Sequence, residues 1–127
     1  MKIESKQFGE IEFDESIVYK FKDGIIGFEK LNEFILLNSE DGVFFWLISI
    51  EEPEIVFPLF PVRPLFENYP KDKGYEPFGV VNLSKNLEEI TINLKSPVYI
   101  DTKNKKGYQS ILDDDTYLIN YNLFIKE

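Results

Sequence analysis

Polar and apolar residues alternate in Glu10-Ile11-Glu12-Phe13 and again in Ile90-Thr91-Ile92-Asn93-Leu94-Lys95, the period of a strand with one face buried. Between them lie denser apolar runs. Phe34-Ile35-Leu36-Leu37 and Val43-Phe44-Phe45-Trp46-Leu47-Ile48 are short, β-prone and separated by the polar stretch 38–42, which ends in Gly42; they predict a hairpin of two largely buried strands. A further strand is expected over Ile17 to Phe21, stopped by the turn dipeptide Asp23-Gly24. Val98 to Asp101 and Gly107 to Leu112 flank the basic stretch 102–106 and predict a second hairpin with a positive tip.

Turn signals recur about every ten residues, and no helical apolar stripe exceeds about two turns. The pattern predicts one all-β domain over residues 1–127, a small antiparallel β-barrel-like or sandwich structure. Short helical turns are expected at Glu29–Glu33, Pro64–Asn68 and Lys85–Glu89. The run from Ile55 to Val62 stands apart because Pro58 and Pro61 each remove a ladder donor from a strand-like segment. Its favoured reading is an edge strand or bulge; the other is an exposed apolar ridge offered to a partner by strand addition.

Composition narrows the function classes. Twelve Phe, seven Tyr and one Trp against a single Met supply a core of rigid, well-defined side chains. Cysteine and histidine are both absent, which removes Ser-His-Asp and Cys-His nucleophilic sites, the usual structural zinc sites and the commonest general base near neutral pH. No metal or other cofactor is expected. The Asp113-Asp114-Asp115 run lacks the glycine and distal glutamate of a calcium loop and reads as a solvated turn, as does Glu51-Glu52-Pro53-Glu54. A formal net charge of −9 repels nucleic acid phosphates and serves solubility and the steering of basic partners alike. The first residues carry no apolar leader, and no apolar run reaches membrane-spanning length. A cytoplasmic protein with no membrane association and no direct nucleic acid contact is expected, a monomer being favoured.

The segment from Phe21 to Glu29, FKDGIIGFE, sets two glycines three apart among large apolar residues. It lacks the third glycine and following helix of a phosphate-binding loop; it reads as a shaped loop. Together with Phe44 to Ser49 (FFWLIS), Thr91 to Val98 (TINLKSPV) and Gly107 to Leu112 (GYQSIL), it resembles the FliW family of flagellar assembly factors, in matching order over most of the chain. The resemblance implies a small β-barrel-like protein that is not an enzyme. Members bind the carbon storage regulator CsrA, an RNA-binding translational repressor of flagellin, and also bind flagellin itself, so that free flagellin displaces the repressor. Ser96, where alanine is common, and a short segment after Tyr117 depart from the family pattern.

On this reading Asp23, Gly24, Gly27, Phe28 and Glu29 shape one partner-contact surface, with Asn93 and Gln109 either beside it or holding the barrel through hydrogen bonds between strands. The alternative function is a carbohydrate- or small-ligand-binding β-barrel with aromatic side chains facing a cleft. A carboxylate-pair enzyme stands further off and requires two acids with perturbed titration in one pocket.

Overall fold

The computed structural model describes residues 1–124. The strands in chain order are β1 (Lys2–Ser5), β2 (Gly9–Glu12), β3 (Val18–Lys20), β4 (Glu33–Asn38), β5 (Phe45–Ser49), β6 (Val56–Pro61), β7 (Glu76–Asn82), β8 (Thr91–Asp101), β9 (Lys106–Gln109) and β10 (Tyr121–Asn122). Strands β3 to β9 form a closed barrel in the order β8-β7-β6-β5-β4-β3-β9, with β9 returning to pair with β8. The one parallel contact, Lys20 opposite Lys106, seals the β3–β9 seam. The β1–β2 hairpin is a separate two-stranded sheet, and β10 extends the barrel sheet beside β8. The fold is therefore all-β and barrel-like, as the turn spacing and alternation imply.

Three apolar clusters explain why some strands alternate and others do not. The barrel interior holds Phe21, Phe34, Leu47, Leu59, Phe78, Val98 and Ile100. On the outer side of β4 and β5, Ile35 and Ile48 lie beneath the β1–β2 hairpin with Ile3 and Phe13. Strands β4 and β5 are thus covered on both faces and read as continuous apolar runs. Outside β7 and β8, Val81, Ile92 and Leu94 are capped by Tyr69 and by the segment carrying Tyr117 and Tyr121.

Strand β8 changes its inner face partway along. The β7–β8 register steps two residues on β7, from Phe78 to Val80, against five on β8, from Val98 back to Asn93. The surplus is odd, so the side-chain alternation is reversed across the bulge. Ile92 and Leu94 consequently point outward while Val98 and Ile100 point into the barrel. Pro97 sits in the bulge, and on the β9 side its carbonyl accepts from Ser110 N at 3.0 Å just past the last ladder pair, Val98–Gln109.

The edge-strand reading of Ile55 to Val62 is corrected. Strand β6 lies between β5 and β7 in the middle of the sheet. The bonds from Ser49 N to Ile55 O and from Val62 N to Pro77 O set which residues face which neighbour. By that alternation Pro58 turns its nitrogen toward β7 beyond the last ladder pair, Leu59–Val80, and Pro61 turns its nitrogen toward β5 beyond Phe45–Leu59. Neither proline removes a bond that the ladder makes. The expected helical turns are also fewer: Leu87–Glu89 is a 3₁₀ turn inside 85–89, whereas 29–33 and 64–68 hold only hydrogen-bonded turns or extended chain. A 3₁₀ turn at Glu15–Ile17, capped by Asp14, is one that the pattern does not foretell.

The glycine loop as candidate partner-binding site

The loop leaves β3 at Phe21, which is fully buried, and is folded by its own backbone. Gly24 N donates to Phe21 O at 3.0 Å, Phe28 N to Ile25 O at 2.6 Å and Leu31 N to Phe28 O at 3.1 Å. Gly24 has φ +66°, and a Cβ there would lie 2.5 Å from the Phe28 carbonyl oxygen and 2.7 Å from Glu29 Cα; close backbone approach excludes any side chain. Gly27 has φ +90° with open space around it. Ile25 and Leu31 drop into the barrel core, and between them the loop lifts Ile26, 48% exposed, and Phe28, 36% exposed, to the surface. The Phe28 ring rests edge-on against Phe57 at 5.3 Å between centroids.

Polar side chains clamp the loop at both ends. Asn32 Nδ2 donates to Phe21 O and Lys22 O, each at 3.0 Å. The Glu51 carboxylate accepts from Asn32 N at 3.0 Å and Glu33 N at 3.2 Å. Glu29 Oε2 accepts from Gly27 N at 2.8 Å, and that bond holds its carboxyl below the ordinary glutamate pKa. A lowered pKa keeps the exposed Glu29 charged well into mild acid. Asp23 stands exposed on the same loop.

Gln109 is the tie between this loop and the barrel. Its Oε1 accepts from Ile26 N at 2.8 Å and its Nε2 donates to Ser96 O at 3.0 Å. Asn93 does not reach the loop. Its Oδ1 accepts from Lys95 N and Ser96 N, both at 3.0 Å, capping donors that the β8 bulge leaves without ladder partners. The structure therefore gathers Asp23, Gly24, Gly27, Phe28, Glu29 and Gln109, and links Asn93 to them only through Ser96. Gln109→Ala is expected to lower stability by about 1 kcal/mol and to speed amide exchange at Ile26 while leaving exchange in β5 unchanged, as measured by hydrogen exchange. Ile26, Asn32 and Glu51 complete the site. Ile26 lies inside the glycine segment and is legible from its flanking turn; Asn32 and Glu51 come from separate turns with no spacing to announce them.

The rest of the surface offers little for small-molecule chemistry. Among the twelve Phe, seven Tyr and one Trp, Phe28 alone is exposed; many of the others pack edge-on in pairs such as Phe21–Phe34 and Phe45–Phe78. Among the described residues, every carboxyl with a perturbed pKa is lowered by hydrogen bonds in its own turn, as Asp14 is by Ser16, Asp41 by Ser39, Asp101 by Asn104 and Asp114 by Thr116. None is raised toward a general-acid role. The groups pushed upward are tyrosines, Tyr69, Tyr99 and Tyr108, by burial above all. The Asp113–Asp115 run is an exposed turn in which Asp114 accepts from Thr116 N at 2.8 Å. No helix among the described residues is long and apolar enough to cross a membrane.

Comparison with known proteins places this geometry. The family model described as FliW protein matches residues 2–76 and 70–123. The chain is 35% identical, over an alignment 137 positions long, to the flagellar assembly factor FliW of Caldanaerobacter subterraneus subsp. tengcongensis, covering 95% of this chain and 91% of that protein. It is 36% identical over 139 to that of Clostridium kluyveri, covering 98% and 96%. A crystal structure of the flagellar assembly factor FliW superposes with TM-score 0.88 at 26% identity, covering 100% of this chain and 99% of that one.

Proposed function

The chain belongs to the FliW family of flagellar assembly factors, and from that premise we propose that it works by binding proteins, without catalysis, through the glycine loop. Its partners in this reading are the carbon storage regulator CsrA and flagellin, and it acts in the cytoplasm as a monomer. Bound to the repressor it relieves repression of flagellin translation; flagellin displaces the repressor, so synthesis falls until the free flagellin pool is consumed.

The observation that carries this reading is the construction of the loop. Two glycines, Asn32, Glu51 and Gln109 hold a rigid turn whose outward groups are Ile26, Phe28, Asp23 and Glu29. A small apolar centre flanked by carboxylates is the composition of a protein contact, and its ordering cost is met before binding. The acidic balance of the chain complements a basic RNA-binding partner. The aromatic-cleft alternative fares worse, since the aromatic side chains it needs are buried or half-buried apart from Phe28.

Glu29→Lys tests the site. Because Glu29 is exposed, losing its bond from Gly27 N should lower stability by no more than about 1 kcal/mol, while repressor affinity should fall about tenfold. Calorimetric titration together with a thermal melt reads both. Unchanged affinity in a folded variant rejects this surface.

A further inference from the structure

The seam that closes the barrel carries a charge arrangement that the fold itself does not favour. Lys20 on β3 stands directly opposite Lys106 on β9, and Lys20 N donates to Lys105 O at 3.0 Å. Like charges facing each other across a strand pair repel. Lys22 and Lys105 line the same open groove, of about 570 Å³, so four of the fourteen basic residues converge in a chain of net charge −9. No ion pair among the described residues neutralises them; the three present are Lys2–Glu10, Arg63–Glu76 and Lys95–Asp115. Two of the lysines are held in place over aromatic rings, Lys105 over Tyr19 at 5.2 Å and Lys106 over Tyr75 at 5.8 Å. Lys105 has φ +55°, the one non-glycine residue with positive φ among those described.

The acids nearby offset this charge only in part, since four lysines and one acid line the groove. The Asp101 carboxylate, which feels Lys106, is committed to the hairpin turn, accepting from Lys103 N and Asn104 N at 3.0 Å and from Asn104 Nδ2 at 2.8 Å. Glu33 stands directly opposite Lys20 on β4 and is the one acid lining the groove, against four lysines.

We propose that the groove over the β3–β9 seam is a second binding site, distinct from the outward face of the glycine loop, and that it takes an acidic peptide segment of a partner protein. Ammonium groups on flexible stems are point charges that pair with carboxylates without demanding one fixed geometry. An open trough fits an extended chain better than an enclosed small molecule. The net negative charge of the whole protein opposes a long polyanion such as RNA but tolerates a short acidic segment. Binding adds countercharge to that supplied by Glu33 opposite Lys20 and Asp101 opposite Lys106, so an occupied groove also strengthens the barrel seam.

The test is an amide chemical-shift titration of the full chain with hexaglutamate at low salt, repeated with hexathymidylate and with the variant Lys20→Gln/Lys22→Gln/Lys106→Gln. Shifts confined to residues around Lys20, Lys22, Lys105 and Lys106, weakened about tenfold in the variant, support the site. The free variant should also melt no lower than the parent, since removing the repulsion offsets the lost stacking; a lower melt assigns the lysines a structural role and overturns the proposal. Shifts that are absent at millimolar peptide, or centred elsewhere, overturn it as well. Tighter binding of the oligonucleotide at the same amides replaces the peptide with nucleic acid.

Discussion

Gly24→Val is expected to destabilise the protein by about 4 kcal/mol, a large part of the stability of a domain this size. Two effects combine. A β-branched residue at φ +66° is strained, and its Cβ falls on backbone atoms of Phe28 and Glu29 that have no rotamer with which to yield. Gly27→Ala isolates the first effect, because Gly27 has positive φ but open surroundings; its cost should be about 1–2 kcal/mol. Urea unfolding of both variants measures the difference. Equal midpoints would mean that the Gly24 contact relaxes freely and that the loop is not the rigid platform described above.

Phe21→Ala should cost about 3–5 kcal/mol, the range for emptying a fully buried phenylalanine site. Phe21 has no exposed surface, packs edge-on against Phe34 at 5.2 Å, and fills the space where Gly107 lacks a side chain. It therefore supports the root of the glycine loop and the inner side of the β3–β9 seam together. The seam makes one ladder pair, so it should open first: amide exchange at Lys20 is expected to accelerate more than at Ile48 in β5. Uniform acceleration would show that the seam owes nothing special to Phe21.

Which parts of this structure the sequence discloses follows from how local each cause is. The hairpin over 34–48 is legible because its turn chemistry and apolar runs are contiguous, and Gly42 has the positive φ that the loop requires. The hairpin tip at 102–105 is equally local, with Asp101 capping its own turn. Strand β6 is misread because the tolerance for Pro58 and Pro61 depends on where neighbouring ladders stop, a property of β5 and β7 rather than of β6. The face reversal in β8 has a local mark, Asn93 followed by Pro97, yet its odd surplus is defined only against β7. Barrel closure through Lys20 and Lys106 joins positions far apart in sequence and carries no pattern at all.

The candidate site divides in the same way. The glycines and the residues between them announce a shaped loop, and Gln109 proves to tie that loop to β8. Asn93 serves its own bulge instead of a neighbouring strand. The supports from Asn32 and Glu51 come from turns whose sequences look like ordinary polar connections; the β4–β5 register, continued by the bond from Ile50 N to Glu33 O, sets Glu51 at the loop's exit.

The most direct measurement is a calorimetric titration of the protein with CsrA from the same genome, performed alone and after saturation with flagellin. The account predicts saturable heat in the first titration and its loss in the second, with both signals weakened by Glu29→Lys. A folded sample that gives no heat with either protein would contradict the partner-binding role at its centre.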